Sequence, residues 1–196
     1  MDNRIEVALR KLQNLGASVA LLPGFLAPAQ ADETLQALLA QFRFNHPDES
    51  RVFVHGRWHF TPRLQVAYGD SSTRYRFAGC SVAARPWREA PVHEPLPDAV
   101  ARSCKLQPNF VLVNLYRDGA DCIGWHRDDE RDLVPQATIA SLSLGAERAF
   151  QMRRSGTAAS GSTTVTLPLP HGRLLLLRHP TNRDWMQIGR ASCRER

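Results

Sequence analysis

The sequence lacks long hydrophobic runs and has few cysteines, and each absence removes a class of protein. Its aliphatic runs, such as Leu174–Leu177, are far shorter than a membrane-spanning helix requires. The N-terminal residues include acidic side chains and no long apolar segment, so a secretory signal is not expected. No C-x-x-C spacing occurs among the four cysteines, which argues against a zinc ribbon or a disulfide framework: Cys80, Cys104, Cys122 and Cys193. We therefore expect a protein of a reducing compartment with no membrane partner, cytoplasmic or, in a eukaryote, nuclear.

The length and composition predict one globular domain. The chain has 196 residues, of which 43% are hydrophobic, and it contains no internal repeat. A chain of this length can bury a sizeable core. We expect a monomer.

The net charge is positive, at +6. A basic protein favours polyanionic partners, because neutralising phosphates releases counterions, but solubility alone explains a charge of this size equally well. Arginines and aromatic residues alternate between positions 51 and 88: Arg51, Phe53, Arg57, Trp58, Phe60, Arg63, Tyr68, Arg74, Tyr75, Arg76, Phe77, Arg85, Trp87 and Arg88. This clustering favours a nucleic-acid partner.

The hydrophobic pattern predicts helices first and short strands afterwards. Residues 2–14 and Ala31–Phe42 have helical spacing, the second with Asp32 and Glu33 in its first turn. A strand is predicted at Ala17–Leu22, and from Arg51 onward the chain is predicted to form short strands separated by turns, with one helix at Asp98–Cys104. The fold class expected is α+β, mainly β, namely a jelly-roll double sheet with the N-terminal helices packed on one side.

One short segment suggests a metal site. His126 and Asp128 form an H-x-D pair behind the turn at Asp118 and Gly119. On a strand, residues two apart point to the same face, so an imidazole and a carboxylate converge. With a distant histidine they would form the facial triad of a non-haem Fe(II) oxygenase. Alone, the pair is weak support, since most H-x-D pairs are surface polar residues.

Several separated blocks in order make the chain recognisable. PNFVLVNLYRDGADCIGWHRDDERDLVPQATIASLSLGAERAFQMR and LPLPHGRLLLLRHPTNRDW resemble the AlkB family of DNA and RNA dealkylases. The block GRWHFTPRLQVAYGDSSTRYRFAG narrows the resemblance to the branch that repairs duplex DNA. The resemblance implies a double-stranded β-helix that uses Fe(II), 2-oxoglutarate and O2. It also implies oxidative removal of N-methyl groups from bases such as 1-methyladenine and 3-methylcytosine, with release of formaldehyde.

The resemblance also assigns the central site residues. His126 and Asp128 match two iron ligands, and Asn114 and Tyr116 match contacts to 2-oxoglutarate. Without the family context, a satisfied polar pair in the core would be preferred for Asn114 and Tyr116.

By resemblance, further residues would bind DNA, with double-stranded DNA preferred over single-stranded DNA. Tyr75 and Phe77 would line the base pocket, and Asp129 would face a cationic methylated base. Outside this context, a core aromatic pair and a solvated turn acid are the simpler interpretations. The remaining contacts implied are a hairpin that enters the base stack and an arginine near the lesion: Val54, His55, Gly56 and Arg63. His55 replaces the aromatic wedge usual in the family, and it buries less apolar area.

The C-terminal residues depart from the family pattern. Gln187 stands where the pattern W-x-H requires the third ligand histidine, and residues 188–196 are predicted to form no strand. QIGRASCRER can be encoded by CAG ATC GGA AGA GCG TCG TGT AGG GAA AGA, which from its second base matches the start of a widely used sequencing adapter. We therefore expect residues 1–50 to be an N-terminal extension of the domain and 51–187 an incomplete dioxygenase domain without its last strands. Residues 188–196 would be a non-native tail.

Rival functions follow from the same residues. A missing ligand is compatible with a non-catalytic nucleic-acid-binding protein, and the same fold serves RNA or protein demethylases. The hairpin and the pair Tyr75 and Phe77 favour DNA. A zinc hydrolase is disfavoured, because no general base accompanies a three-ligand site. As written, the chain is expected to bind Fe(II) weakly and to turn over little substrate.

Overall fold

A computed structural model describes residues 2–54, 56–90, 96–156 and 163–191. The helices are α1 (Asn3–Asn14), α2 (Pro28–Gln41), α3 (Leu96–Cys104) and α4 (Thr181–Asp184). The strands are β1 (Val19–Leu22), β2 (Arg51–Val54), β3 (Arg57–Phe60), β4 (Leu64–Gly69), β5 (Arg74–Phe77), β6 (Cys80–Ala83), β7 (Arg85–Pro86), β8 (Phe110–Leu115), β9 (Ile139–Ser143), β10 (Arg148–Arg154), β11 (Val165–Leu169), β12 (Arg173–Leu177) and β13 (Trp185–Ala191). Short 3-10 helices span Pro47–Ser50 and Trp87–Glu89. The part of the chain that is described is therefore mainly β with few helices, as the sequence predicted.

The chain forms two compact units. The first comprises Met1–Glu33, Cys122–Asp129 and Leu133–Arg196, and the second comprises Thr34–Asp121 and Glu130–Asp132. No helix in the described residues is long and apolar enough to cross a membrane.

Two three-stranded antiparallel sheets build the first unit, with strand orders β1-β12-β9 and β11-β10-β13. Strand β12 is central in its sheet, and Leu174 to Leu177 are all buried, which explains their uninterrupted apolar run. Helix α1 contributes Ile5, Ala8 and Leu12 to a core shared with residues from both sheets. The first unit thus has one apolar core that includes the predicted N-terminal helix.

Smaller sheets build the second unit, with strand orders β2-β3, β7-β4-β8 and β5-β6. Strand β4 lies at the centre of its sheet, and Val66, Ala67 and Tyr68 are buried. The predicted hairpin is confirmed, because β2 and β3 pair in antiparallel register from Arg51 opposite Phe60 to Val54 opposite Arg57.

Helix α2 begins earlier than the sequence predicted. It starts at Pro28, so no acidic residue lies in its first turn, and the placement predicted for Asp32 and Glu33 is wrong. Proline is favoured at the first helical position, where its missing N–H costs no hydrogen bond. The side chain of Gln30 accepts a hydrogen bond from the Ala27 N–H at 3.1 Å, which stabilises this start.

Residues 188–191 form part of a strand, contrary to the prediction for residues 188–196, of which residues 192–196 lie outside the described part of the chain. Strand β13 continues to Ala191 and pairs with β10 in a register that runs from Trp185 opposite Arg154 to Ala191 opposite Arg148. Trp185 and Ile188 are buried. The ladder with β10 satisfies the backbone, so a polar sequence without regular alternation still adopts an extended structure.

Candidate active site

The predicted metal-ligand pair lies in the first unit, outside a regular strand. The segment around His126 makes a single bridge to β13: the His126 N–H donates to the Gln187 carbonyl at 3.0 Å, and the Gln187 N–H donates to the His126 carbonyl at 2.8 Å. The expectation that the pair lies on a strand is therefore wrong. The side chains nevertheless converge, with 3.6 Å between His126 Nε2 and Asp128 Oδ1.

The His126 ring is oriented for metal binding. Its Nδ1 lies 2.8 Å from the carbonyl oxygen of Gly124. A carbonyl oxygen only accepts hydrogen bonds, so Nδ1 carries the proton and the lone pair is on Nε2, the nitrogen that faces Asp128. Such a backbone partner is the usual means of fixing the tautomer and orientation of a ligating histidine.

Neighbouring groups and burial act in opposite directions on the pKa of Asp128. Burial raises the pKa of Asp128 above its ordinary value, whereas the nearby His126 ring and a hydrogen bond from Gln187 act to lower it. A buried carboxylate with a raised pKa is stabilised as the anion by a cation, which a divalent metal ion would provide.

Gln187 occupies the position expected for the third ligand. It lies on β13, its side chain is buried, and its Nε2 donates to Asp128 Oδ2 at 2.5 Å. An amide N–H₂ group has no lone pair for a metal, so this side chain does not fit the third position as it is oriented. The described residues contain no group of three or more histidine, cysteine or acidic side chains placed to hold a metal. His126 and Asp128 thus fit Fe(II), whereas the amide of Gln187, as oriented, offers no lone pair at the third position.

Two residues beside the pair had not been singled out from the sequence. The guanidinium carbon of Arg153, on β10, lies 4.2 Å from the ring centroid of Trp125. This cation–π contact stabilises the position of the residue that precedes His126. No spacing rule links positions 125 and 153, so the sequence contained no signal for this cation–π contact.

Asp129, predicted to face the substrate base, pairs with a neighbour. Its Oδ2 lies 3.2 Å from Nε of Arg127, and both side chains are about 40% exposed, at 41% for Arg127 and 39% for Asp129. An exposed pair of this kind contributes little to stability. The role of Asp129 toward a base stays a prediction.

Asn114 belongs to a polar network in the second unit. It lies on β8 directly opposite Gln65 on β4. Its Oδ1 accepts hydrogen bonds from Arg63 Nε at 3.0 Å and from Gln65 Nε2 at 2.9 Å. With both donors on the oxygen, the Asn114 amide is oriented so that Nδ2 points away from them and can donate elsewhere. Tyr116, the other predicted cosubstrate contact, follows β8 and is half-buried.

Arg63 is more buried than a DNA contact would lead one to expect. Its exposed fraction is 6%. Its guanidinium lies 6.0 Å from the centroid of the Phe77 ring and it also donates to Asn114. Gln65, fully buried, has an Oε1 atom with no hydrogen-bond partner among the described residues. Gln65 was not identified from the sequence, although its position two residues after Arg63 places both on one face of the chain.

The predicted base-pocket residues lie together on β5. The ring centroids of Tyr75 and Phe77 are 5.6 Å apart at an interplanar angle of 40°, and Tyr75 also lies 5.6 Å from Phe110. Both rings are half-buried. In the hairpin, Val54 ends β2 and Gly56 has a φ of 75°, and His55 lies outside the described residues.

Comparisons with known proteins identify the family of the chain. A protein-family model described as the 2OG-Fe(II) oxygenase superfamily matches residues 18–194. The chain is 41% identical over 179 residues to the DNA oxidative demethylase ALKBH2 of Homo sapiens, an alignment that covers 89% of this chain and 67% of that protein. It is 40% identical over 161 residues to the protein of the same name from Mus musculus, with 80% and 66% covered.

Other relatives are more distant. The alpha-ketoglutarate-dependent dioxygenase alkB homolog 3 of Homo sapiens is 33% identical over 173 residues, with 85% of this chain and 58% of that protein covered. The chain thus spans 58 to 67% of the length of these three relatives. A solved structure titled "The structure of OsALKBH1" superposes with a TM-score of 0.55 at 16% identity, covering 89% of this chain and 85% of that one, and this likeness concerns the fold alone. The chain therefore belongs to the 2OG-Fe(II) oxygenase superfamily, in its AlkB branch.

Proposed function

We propose that the activity of this chain is oxidative demethylation of N-alkylated bases in DNA, of the 1-methyladenine and 3-methylcytosine type, with release of formaldehyde. The observation that carries the proposal is the convergence of His126 Nε2 and Asp128, with the histidine tautomer set by Gly124. The relatives named DNA oxidative demethylase support DNA as the substrate. A preference for duplex DNA over single-stranded DNA is part of the proposal. In this proposal the sheets of the chain belong to a jelly-roll fold.

His126 and Asp128 would hold Fe(II), which supplies the oxidation of the N-methyl carbon when 2-oxoglutarate and O2 are present. The role of the protein is to position the methyl group and to exclude water. The donor set supports this assignment at two positions, because a neutral imidazole nitrogen and a carboxylate both suit the ion. Gln187 supplies no lone pair in its present orientation, so we expect the chain to bind the metal weakly.

The Asn114 amide is proposed to donate to a carboxylate oxygen of 2-oxoglutarate. Two hydrogen bonds to Oδ1, from Arg63 and Gln65, orient its N–H₂ group for this role. Tyr116 is proposed as a second contact to the cosubstrate. The half-buried rings of Tyr75 and Phe77 would stack on a base taken out of the duplex, and Asp129 would favour a cationic methylated base. Arg63, Val54, His55 and Gly56 remain proposed as residues that contact the DNA around that base.

The test compares substrates and variants in one assay. Formaldehyde release is measured with Fe(II) and 2-oxoglutarate on matched 1-methyladenine-containing duplex DNA, single-stranded DNA and RNA. We expect little turnover by the parent chain and clear turnover by Gln187→His, greatest on duplex DNA, with Asp128→Ala as the inactive control. A variant that consumes 2-oxoglutarate but demethylates only RNA would refute the proposed substrate.

A second candidate is a non-catalytic nucleic-acid-binding protein. It is favoured by one observation, the hydrogen bond from the Gln187 amide to Asp128, which satisfies the carboxylate without a metal. Equal binding of methylated DNA by the parent chain and by Gln187→His, with no turnover by either, would support this candidate over the demethylase.

A further inference from the structure

The turn that fixes the tautomer of His126 has little packing around it. The carbonyl oxygen that meets His126 Nδ1 belongs to Gly124, which is exposed. A Cβ atom on Gly124 would meet no atom of the described residues within 4 Å, apart from those of its chain neighbours. Glycine also has more backbone freedom than other residues. The position of this carbonyl therefore depends on the contacts of the residues that follow it.

Two contacts attach those residues to the sheet of β11, β10 and β13. The first is the backbone bridge between His126 and Gln187, which consists of two hydrogen bonds. The second is the contact between the Trp125 ring and the guanidinium of Arg153, with 4.2 Å from the guanidinium carbon to the ring centroid. This distance is well within the limit of about 6 Å for a cation–π interaction.

The ring contact lies on the side of the sheet opposite the His126 side chain. Met152 on β10 is directly opposite Gln187, and Gln187 is bridged to His126, so these three side chains project to one side. Arg153 follows Met152 on the strand and projects to the other side. Because β13 lies between β10 and the bridge, the Arg153 side chain extends across β13 to reach Trp125. The contact therefore joins the turn to two strands of the sheet.

The surroundings of the pair favour a strong contact. Trp125 and Arg153 are both half-buried. Removal of water strengthens a cation–π interaction, and tryptophan offers the best ring face for it. The planar guanidinium can also stack on the ring. The pair is thus suited to holding the backbone of Trp125 in one place.

We propose that Trp125 and Arg153 are positioning residues for the metal ligand His126. Their contact holds the backbone at Trp125, and with it the Gly124 carbonyl, where it accepts the hydrogen bond from Nδ1 of His126. The lone pair of Nε2 then faces Asp128. This inference rests on the proposed function only for the role of His126 as a metal ligand.

The first test determines the His126 tautomer in the metal-free chain. Two-dimensional NMR of the histidine ring nitrogens shows which nitrogen carries the proton, at a pH where the imidazole is neutral. The parent is expected to have the proton on Nδ1. In Trp125→Leu and Arg153→Met we expect a mixture in which part of the population has the proton on Nε2. Trp125→Phe keeps a ring under the guanidinium and should retain most of the parent tautomer.

Amide hydrogen exchange tests how firmly the turn is held. Trp125→Leu and Arg153→Met should each speed exchange of the His126 N–H, which donates to the Gln187 carbonyl, by about 5- to 30-fold. This range corresponds to the loss of a partly to fully desolvated cation–π interaction. The hydrogen-bonded amides of the β10–β13 ladder are the internal reference and should change much less. Arg154→Met, at the next residue of β10, which is exposed and opposite Trp185, is the matched control.

Co(II) binding gives a third measurement that needs no turnover. It is followed by visible absorption in the Gln187→His variant, in which three protein ligands are expected. Adding Arg153→Met to that variant should weaken Co(II) binding by a factor similar to the change in exchange, whereas adding Arg154→Met should leave the affinity unchanged.

Several results would overturn the positioning role. An unchanged tautomer and unchanged His126 exchange in both Trp125→Leu and Arg153→Met would do so. Equal acceleration of His126 and of the whole β10–β13 ladder would show that the pair only stabilises the fold. Loss of the tautomer in Trp125→Phe to the same extent as in Trp125→Leu would exclude the cation–π contact as the cause. Thermal unfolding checks each variant, and Arg153→Met decides if Trp125→Leu is not folded. Tautomer and exchange are measured without metal, so failure of the proposed demethylation leaves both results readable.

Discussion

The substitution Gln187→His is expected to create a metal site with three protein ligands. The side chain at this position already reaches Asp128, because Gln187 Nε2 lies 2.5 Å from Oδ2, and the backbone bridge to His126 holds β13 beside the pair. Four-ligand zinc sites provide about 10–16 kcal/mol, or roughly 3 kcal/mol per ligand. One added imidazole should therefore tighten binding of a divalent metal by about 100-fold.

The tighter binding of metal by Gln187→His can be measured as a shift in melting temperature. Metal at about 100 times the Kd of the variant stabilises it by about 2.7 kcal/mol. A chain of 196 residues has an unfolding entropy of about 0.4 kcal/mol/K, so the shift is about 7 °C. For the parent, with a Kd about 100-fold weaker, the same metal concentration gives about 0.4 kcal/mol, or about 1 °C.

The assay uses Co(II) in place of Fe(II), because it resists oxidation, and follows thermal unfolding with and without metal. Gln187→Ala removes the amide without adding a ligand and is the matched control. Gln187→Ala loses a hydrogen bond to a buried carboxylate, so without metal it should be less stable than the parent by about 1.5–3 kcal/mol. A metal-induced shift in Gln187→His no larger than that of the parent would refute the reasoning.

Three further substitutions or modifications test other parts of the structure. Leu175→Ala, at a fully buried position of β12, should lower the free energy of unfolding by about 2–5 kcal/mol in urea titrations, whereas Val134→Ala, at an exposed position, should change it by less than about 0.5 kcal/mol. Burial raises the pKa of the Cys80 thiol, so less thiolate is present at neutral pH and iodoacetamide should modify Cys80 more slowly than the half-buried Cys122, as peptide mapping would measure. Asn114→Leu removes the acceptor of two donors and should destabilise the chain by about 1–3 kcal/mol or more, and isothermal titration should show weaker 2-oxoglutarate binding.

Each of these three predictions has an outcome that would contradict it. Equal urea midpoints for Leu175→Ala and the parent would mean that β12 is not a core strand. Faster modification of Cys80 than of Cys122 would place that thiol in an environment that favours the anion. A stable Asn114→Leu variant with unchanged cosubstrate binding would show that the amide orientation has no role in the proposed contact.

Local patterns predicted most of the elements. The helical spacing at residues 2–14 corresponds to α1, where Ile5, Ala8 and Leu12 are buried. The turn between two runs rich in aromatic and β-branched residues corresponds to the hairpin of β2 and β3. These features depend on contacts between residues close in sequence. The start of α2 was misjudged because the capping contact of Gln30 is a detail of geometry that periodicity does not contain.

Long-range pairing accounts for what could not be predicted. Residues 188–191 join a sheet because β10 offers a partner strand, and no property of those residues taken alone indicates it. Likewise, the sequence predicts Arg63 as a DNA contact, whereas its side chain is buried and donates to Asn114, a residue distant in sequence.

The sequence by itself predicted His126 and Asp128 as a ligand pair, and their side chains converge although the segment forms only a single bridge and no regular strand. It also marked Gln187 as the residue in the third position. Only the tertiary structure decided what that residue does there. The Gln187 amide donates to the carboxylate of Asp128, 59 positions earlier in the chain, because β13 forms a bridge with the segment of His126. This hydrogen bond occupies a carboxylate oxygen that would otherwise be available to a metal ion.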